Sequence, residues 1–261
     1  MKKRYFMKVD GICPICSKKV KFIASNEWLR EHFKCSSCGS IPRERALMVV
    51  LETYFPGWRH LVIHESSPSN RGASVRLAEE CSDYIPSQYF VGRELGSLVN
   101  GVRCENLEEL SFSDGSIDIH ITQDVMEHIF HPAKAFREIA RTLKPGGAHI
   151  FTVPLVNKKN PSRVRAKIDA AGNIEHLHPP VYHWNPIDTM ESLVTVDWGF
   201  DICQYIFESS GLFTLMIQID DITKGIRAEY IEVLMTYKYQ DAANALLPIT
   251  AGDDALYTRP I

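Results

Sequence analysis

Residues 116–155, SIDIHITQDVMEHIFHPAKAFREIARTLKPGGAHIFTVPL, read as strand, acidic turn, helix, glycine turn and strand without interruption. Ile117, Ile119 and Ile121 supply a β-branched strand that stops at the polar pair Gln123 and Asp124. Pro132 suits a first helical turn, where its missing N–H would have no partner anyway. Ala135, Phe136, Ile139, Ala140 and Leu143 then recur at helical spacing until Lys144-Pro145-Gly146-Gly147 ends the helix, and Ala148 to Val153 gives the second strand. Strand, crossover helix and strand make a parallel βαβ unit, which predicts an α/β fold. Ligands of such a fold gather at the carboxyl edge of the sheet, here beside Gln123 and Asp124.

Outward from this unit the alternation continues. Leu61 to Glu65 reads as an earlier strand entering the turn Ser66-Ser67-Pro68-Ser69-Asn70-Arg71-Gly72, and a further strand is expected near Ser87 to Val91. On the carboxyl side, Val156 to Trp198 is a long connection, and connections of that length are functional or disordered. Its second half, Glu175-His176-Leu177-His178-Pro179-Pro180-Val181-Tyr182-His183-Trp184-Asn185-Pro186, is rich in histidine, aromatics and proline, which argues against disorder. A helix is expected from Asp197 through Ser210, ended by Gly211. Phe213 to Ile219 and Tyr230 to Tyr237 read as a hairpin, and residues after Lys238 as a loosely attached tail.

Seven cysteines are an odd number for a disulfide set, but four fall as Cys13-x-x-Cys16 and Cys35-x-x-Cys38, with Cys81, Cys104 and Cys203 scattered. Two such knuckles bring four thiolates to one tetrahedral ion, so a structural zinc is expected, with no position left for water. A redox dithiol would need only one knuckle. Gly39 allows the tight turn after Cys38, Ser40 is expected to cap the next helix, and Pro42 fits its first turn. Ala46, Leu47, Val50, Leu51 and Tyr54 give that helix an apolar face. Arg43 and Arg45 are read as ion-pair partners between head and main domain, with an anionic substrate group as the alternative.

The zinc knuckles and the junction Cys38-Gly39-Ser40-Ile41-Pro42-Arg43-Glu44-Arg45 resemble the "CGSxxRxR" pattern of bacterial methyltransferases that carry an amino-terminal zinc ribbon. Residues 116–155 likewise resemble the fourth and fifth strands of class I S-adenosylmethionine-dependent methyltransferases, with the pattern "FDxxxxxxVxEH…ExxRxLKPGGxxxxxxP". The resemblance implies a Rossmann-like seven-stranded sheet preceded by a small zinc ribbon. The expected division is a ribbon over 1–41, a methyltransferase domain over 42–240 with a substrate-covering insertion at 156–198, and a tail over 241–261. It also implies S-adenosylmethionine as cofactor, contacted by Glu65, Ser66, Ser67, Gln88, Glu105, Asn106, Gln123, Asp124 and Val125. Three departures stand out. The first turn lacks the family's early glycines, and Gln88 replaces the acid that accepts both ribose hydroxyls, with Glu94 nearby as a substitute. Asn106 stands where an acid meets the adenine amine. Glu127 and His128 are read as chiefly structural.

Methyl transfer from a sulfonium needs alignment and, for an alcohol or protonated amine, removal of a proton. His183, between Tyr182 and Trp184, is the first candidate base, followed by His178 and His176; Asp124 would lie beside the reacting methyl group. A metal site made from His176, His178 and His183 is the weaker reading, because no acid or cysteine falls in the same short pattern. The expected acceptor is an oxygen or nitrogen of a polar small molecule, sugar or glycan precursor. An RNA methyltransferase and a non-catalytic binding module are the alternatives. Residues 1–45 hold a surplus of seven positive charges, and the remainder carries −10 toward a net of −3. An acidic main domain argues against a nucleic-acid partner. Hydrophobic residues at 45% and charged ones at 23% suit a globular protein, and no apolar run reaches membrane-spanning length. The basic start MKKRYFMK leads to Val9 and Asp10 and not to a signal core, so a cytoplasmic location is expected.

Overall fold

The computed structural model describes residues 5–169, 171–184 and 191–239. The head is an antiparallel sheet of β1 (Met7–Ile12), β2 (Lys19–Ala24) and β3 (Phe33–Cys35), with the short helix α1 (Leu29–His32) before β3. Period-two alternation turns Val20, Phe22 and Ala24 inward and Lys19 and Lys21 outward. One cysteine pair sits in the turn between β1 and β2. The other follows at the end of β3, where Gly39 adopts φ +71°, a conformation open to glycine without strain.

Helix α2 (Pro42–Tyr54) carries the chain onto the main sheet, with Pro42 in its first turn and Glu44 accepting from the Ile41 N–H at 3.0 Å. Ile41 is thus the N-cap, a correction to the expectation for Ser40. Ser40 is fully buried, and its hydroxyl lies 3.4 Å from the Cys13 sulfur and 3.2 Å from that of Cys38.

The main sheet starts with β4 (Val62–Ser66), α3 (Gly72–Glu80), β5 (Asp83–Gln88), β6 (Leu98–Val99), β7 (Val102–Cys104), β8 (Ile117–Gln123), α4 (Pro132–Thr142) and β9 (Leu143–Thr152). Three short ribbons then leave it: β10 (Arg163–Val164) with β15 (Val196–Asp197), β11 (Ala166–Ile168) with β12 (Ile174–His176), and β13 (Tyr182–Trp184) with β14 (Glu191–Leu193). Helix α5 (Ile202–Ser210) leads to β16 (Phe213–Ile217) and β17 (Val233–Tyr237). Strand order is β16-β17-β9-β8-β4-β5-β7-β6. Strands β9, β8, β4, β5 and β7 are parallel, and β17 is inserted antiparallel between β9 and β16. The winding reverses between β4 and β8, the place where ligands of doubly wound sheets bind.

Several boundaries differ from the sequence expectation. The sheet has eight strands and not seven, because Asn100 and Gly101, both at positive φ, turn the chain back and add β6 at the edge. Strand β5 ends at Gln88, where the expected strand was beginning. Pro86 inside it obscured the pattern, yet it pairs in register with Glu65. Strand β9 starts at Leu143, its Pro-Gly-Gly stretch taken up by a register shift against β8. Helix α5 starts at Ile202, since Asp201 accepts from Ser162 and holds residues 199–201 in a turn.

One apolar cluster runs from Phe22 and Phe33 of the head through Leu47 and Leu51 to Ile63, Ile119 and Ile150 of the sheet. The opposite face packs Phe136, Ile139, Phe151, Trp198 and Ile206. Head and sheet therefore share one interior. His64, His120 and His149 stand in register across β4, β8 and β9, all buried. No helix among the described residues is long and apolar enough to cross a membrane.

Candidate functional site

The four head cysteines converge. Cys13 and Cys38 sulfurs lie 3.7 Å apart, Cys16 and Cys35 sulfurs 3.9 Å apart, and all four fall within 4.8 Å of one another. Thiolates at 2.3 Å around one tetrahedral ion stand about 3.8 Å apart, so the set fits a single zinc. Arg45 lies buried beneath it and donates to the carbonyls of Phe33, Ser40 and Gly225. Burial pushes this guanidinium down to about 10, opposed by the nearby Cys13 and Glu44. Arg45 thus bonds backbone carbonyls and not the carboxylate partner expected of it, while Arg43 does form ion pairs, with Glu31 and Asp124.

The parallel strands place Ser66, Gln88, Gln123 and Thr152 along one carboxyl edge. Glu65 is fully buried there. It accepts from Ser74 Oγ at 2.7 Å, Gln123 Nε2 at 2.7 Å and the Tyr84 hydroxyl at 2.6 Å, and burial raises its carboxyl above the usual range. Ser67 adopts φ +55° while its N–H bonds the Ser87 carbonyl, so the glycine-poor turn still makes a left-handed step. Gly72, also at positive φ, meets Glu44: a Cβ there would lie 2.1 Å from the Glu44 carboxylate. Gln88 Oε1 is buried and bonds nothing among the described residues, an acceptor held at the strand end. Glu105 accepts from Arg103 Nε and from the Ser111 hydroxyl and N–H. Asn106 folds back through its Oδ1 onto the Glu108 N–H, and Val125 is half-buried beyond Gln123.

Asp124 is tied to the head. Its Oδ2 lies 2.7 Å from Arg30 Nη2 and 3.0 Å from Arg43 Nε, and Thr152 donates to Oδ1. Burial alone would raise this carboxyl; the two guanidiniums, Arg30 ahead of Arg43, overcome that and hold it well below the usual range.

Past Asp124 the chain makes a short turn over Met126–His128, and the β13–β14 ribbon folds onto it. Thr195 clamps the two by donating to the carbonyls of Glu127 and Ile129. Glu127 is 2% exposed and neither carboxylate oxygen accepts a hydrogen bond from the described residues. Its Oε1 lies 3.8 Å from His128 Nε2 and 3.6 Å from His183 Nδ1. The adjacent Glu127 raises the His183 imidazole above its ordinary value, against the effect of burial. His176 lies on the exposed strand β12, paired with the buried Ala166 of β11, and neither His176 nor His178 joins this group. Sequence reasoning had placed Glu127 and His128 as structural. Their side-by-side position just past the strand end was the available signal. Asn185 and Pro186, expected in the same loop, lie outside the described residues, as does the tail over 241–261.

Residues 79–151 match the model of the family described as "Methyltransferase domain". The curated protein named "Probable S-adenosylmethionine-dependent methyltransferase" from Mycolicibacterium smegmatis is 28% identical over 114 residues, which cover 44% of this chain and 41% of that protein. The chain thus matches less than half of that curated relative's length. Among solved structures, an S-adenosylmethionine-dependent methyltransferase from Mesorhizobium loti is 16% identical, covering 73% of this chain and 96% of the other, with TM-score 0.42. A 1,6-didemethyltoxoflavin-N1-methyltransferase from Burkholderia thailandensis is 11% identical, covering 76% and 78%, with TM-score 0.43. The strand order is that of a Rossmann-like sheet, and the residues that match the methyltransferase-domain model run through it from the end of α3 into β9.

Proposed function

We propose that the chain is an S-adenosylmethionine-dependent methyltransferase acting on an oxygen or nitrogen of a polar small molecule, sugar or glycan precursor. The observation that carries the reading is the carboxyl edge at the winding reversal, where Gln88 Oε1 is buried without a partner beside the Ser66–Ser67 turn. A donor hydroxyl at that point removes the cost of an unbonded buried amide, and the cofactor's ribose supplies one. When bound, S-adenosylmethionine provides a methyl group on positively charged sulfur. Ser66, Ser67, Gln88 and Asn106 would bind it, and Val125 would border it. Glu65 and Glu105 are positioning residues, since their oxygens already orient Ser74, Gln123 and Ser111. Asp124 likewise positions the edge through Arg30 and Arg43.

On the acceptor side, the insertion over 156–198 would cover the substrate, and His183 with Glu127 marks where the acceptor proton is handled. The ribbon over 1–41 would hold a structural zinc that props the methyltransferase domain over 42–240. Calorimetry with S-adenosylmethionine and S-adenosylhomocysteine tests the reading: binding of both at micromolar concentration is expected, and no heat from either at millimolar concentration overturns it. Incubation with labelled cofactor and cell extract would then deliver a labelled acceptor for identification.

A further inference from the structure

We propose that Glu127, His128 and His183 form a second metal site, which takes a divalent transition cation and through it holds an oxygen of the methyl acceptor. Donor atoms of the three residues lie within 4.8 Å of one another. The separations of 3.6 and 3.8 Å from Glu127 Oε1 are too long for hydrogen bonds. Donors about 2.1 Å from one ion stand roughly 3 to 3.5 Å apart, which a small rotamer adjustment reaches. Glu127 is the strongest indication. A carboxylate that is 2% exposed with both oxygens unbonded is costly to keep charged, and a cation offsets that cost.

His128 adds an independent indication. Its Nδ1 donates to the Leu193 carbonyl at 2.8 Å, which fixes the tautomer and leaves the Nε2 lone pair turned toward Glu127. A backbone carbonyl on the far nitrogen is how proteins orient a metal-ligating imidazole. His183 comes from the β13–β14 ribbon, and the same ribbon supplies Leu193, so seating the ribbon completes the ligand set. Two imidazoles and one carboxylate suit Mn2+, Fe2+, Co2+, Ni2+ or Zn2+ better than Ca2+ or Mg2+. Three protein donors leave coordination positions open, and the cation would hold an acceptor hydroxyl there and lower its pKa, easing loss of the proton. The inference deepens the methyl-transfer reading on the acceptor side, resting on it only for the reaction, and makes His183 a metal ligand in place of a free base.

The test is Mn2+ titration of the full chain with its thiolate cluster zinc-loaded, read by calorimetry and by the loss of the free-ion EPR signal. Thiolates prefer zinc, so Mn2+ reports the nitrogen and oxygen site. One Mn2+ per chain is expected, with affinity lowered at least about tenfold in Glu127→Gln and in His183→Ala and unchanged in His176→Ala. The His183 side chain is 43% exposed, so its removal leaves the fold intact even if Glu127→Gln does not fold. Wild-type protein that takes up no Mn2+, or uptake that survives His183→Ala, overturns the site. S-adenosylhomocysteine calorimetry on the same samples separates the two readings: Mn2+ binding without cofactor binding sinks only the methyltransferase, and the reverse sinks only the metal site.

Discussion

Asp124 adopts φ +55°, a conformation that Asp and Asn tolerate better than other non-glycine residues, and this turns its carboxylate back toward Arg30 and Arg43. Asp124→Asn keeps the backbone preference and removes the charge, leaving two mostly buried guanidiniums with only the more exposed Glu31 as a shared carboxylate. A loss of about 3 kcal/mol in urea unfolding is expected, and an unchanged midpoint would refute the coupling. Gln88→Leu keeps the volume and deletes the lone acceptor, so S-adenosylhomocysteine affinity should fall about tenfold while stability holds or rises; equal affinity would remove Gln88 from the cofactor site. Position at a strand end made both residues visible in the chain. Their partners were not visible, because Arg30 meets Asp124 only through the docking of a separate element.

At the scale of elements, the two cysteine knuckles were legible because each is a local turn with two residues between its ligands. Their consequence for the fold is larger than a local turn, since Phe22, Phe33 and Arg45 beneath them belong to the main interior. If the four sulfurs hold zinc as proposed, Cys35→Ser should abolish zinc binding, expose residues 13–38 to limited proteolysis and lower the melting temperature of the whole chain. A variant that is zinc-free yet keeps wild-type melting would show that head and sheet are uncoupled. The β6–β7 hairpin was missed although Asn100-Gly101 is a strong turn signal, because its strands are too short for periodicity to register. The ribbons of the insertion escaped for a related reason: pairs of two or three residues form only when a neighbouring turn anchors them.

Across the whole molecule, the sheet carries a chain of buried neutral imidazoles. Thr142 donates to the Glu138 carbonyl and so accepts from His120 Nε2, which makes His120 Nδ1 accept from His64 and His64 Nε2 accept from the Ser87 hydroxyl. Burial pushes His64 and His149 down to about 3 and His120 well below its ordinary value, helped by Arg103 near His64 and by the histidines' mutual repulsion. Their folded values are depressed, so the unfolded chain binds protons first. Stability is complete above about pH 6.5 and declines toward pH 3, by about 1.4 kcal/mol per pH unit for each histidine. Urea unfolding between pH 7 and 4 should show this slope, and His149→Phe, which keeps the stacking on Phe151, should make it shallower. A flat profile would contradict the burial of neutral imidazoles. The parallel βαβ core, the four-thiolate head and the carboxyl edge at Gln123 could be read from the chain, because hydrophobic periodicity, cysteine spacing and turn residues are local and repeat over short windows. The pairing of Asp124 with the head, and the meeting of Glu127 and His128 with His183, could not. Those contacts join segments far apart in sequence, and only the packing of head and insertion against the same sheet edge brings them within reach.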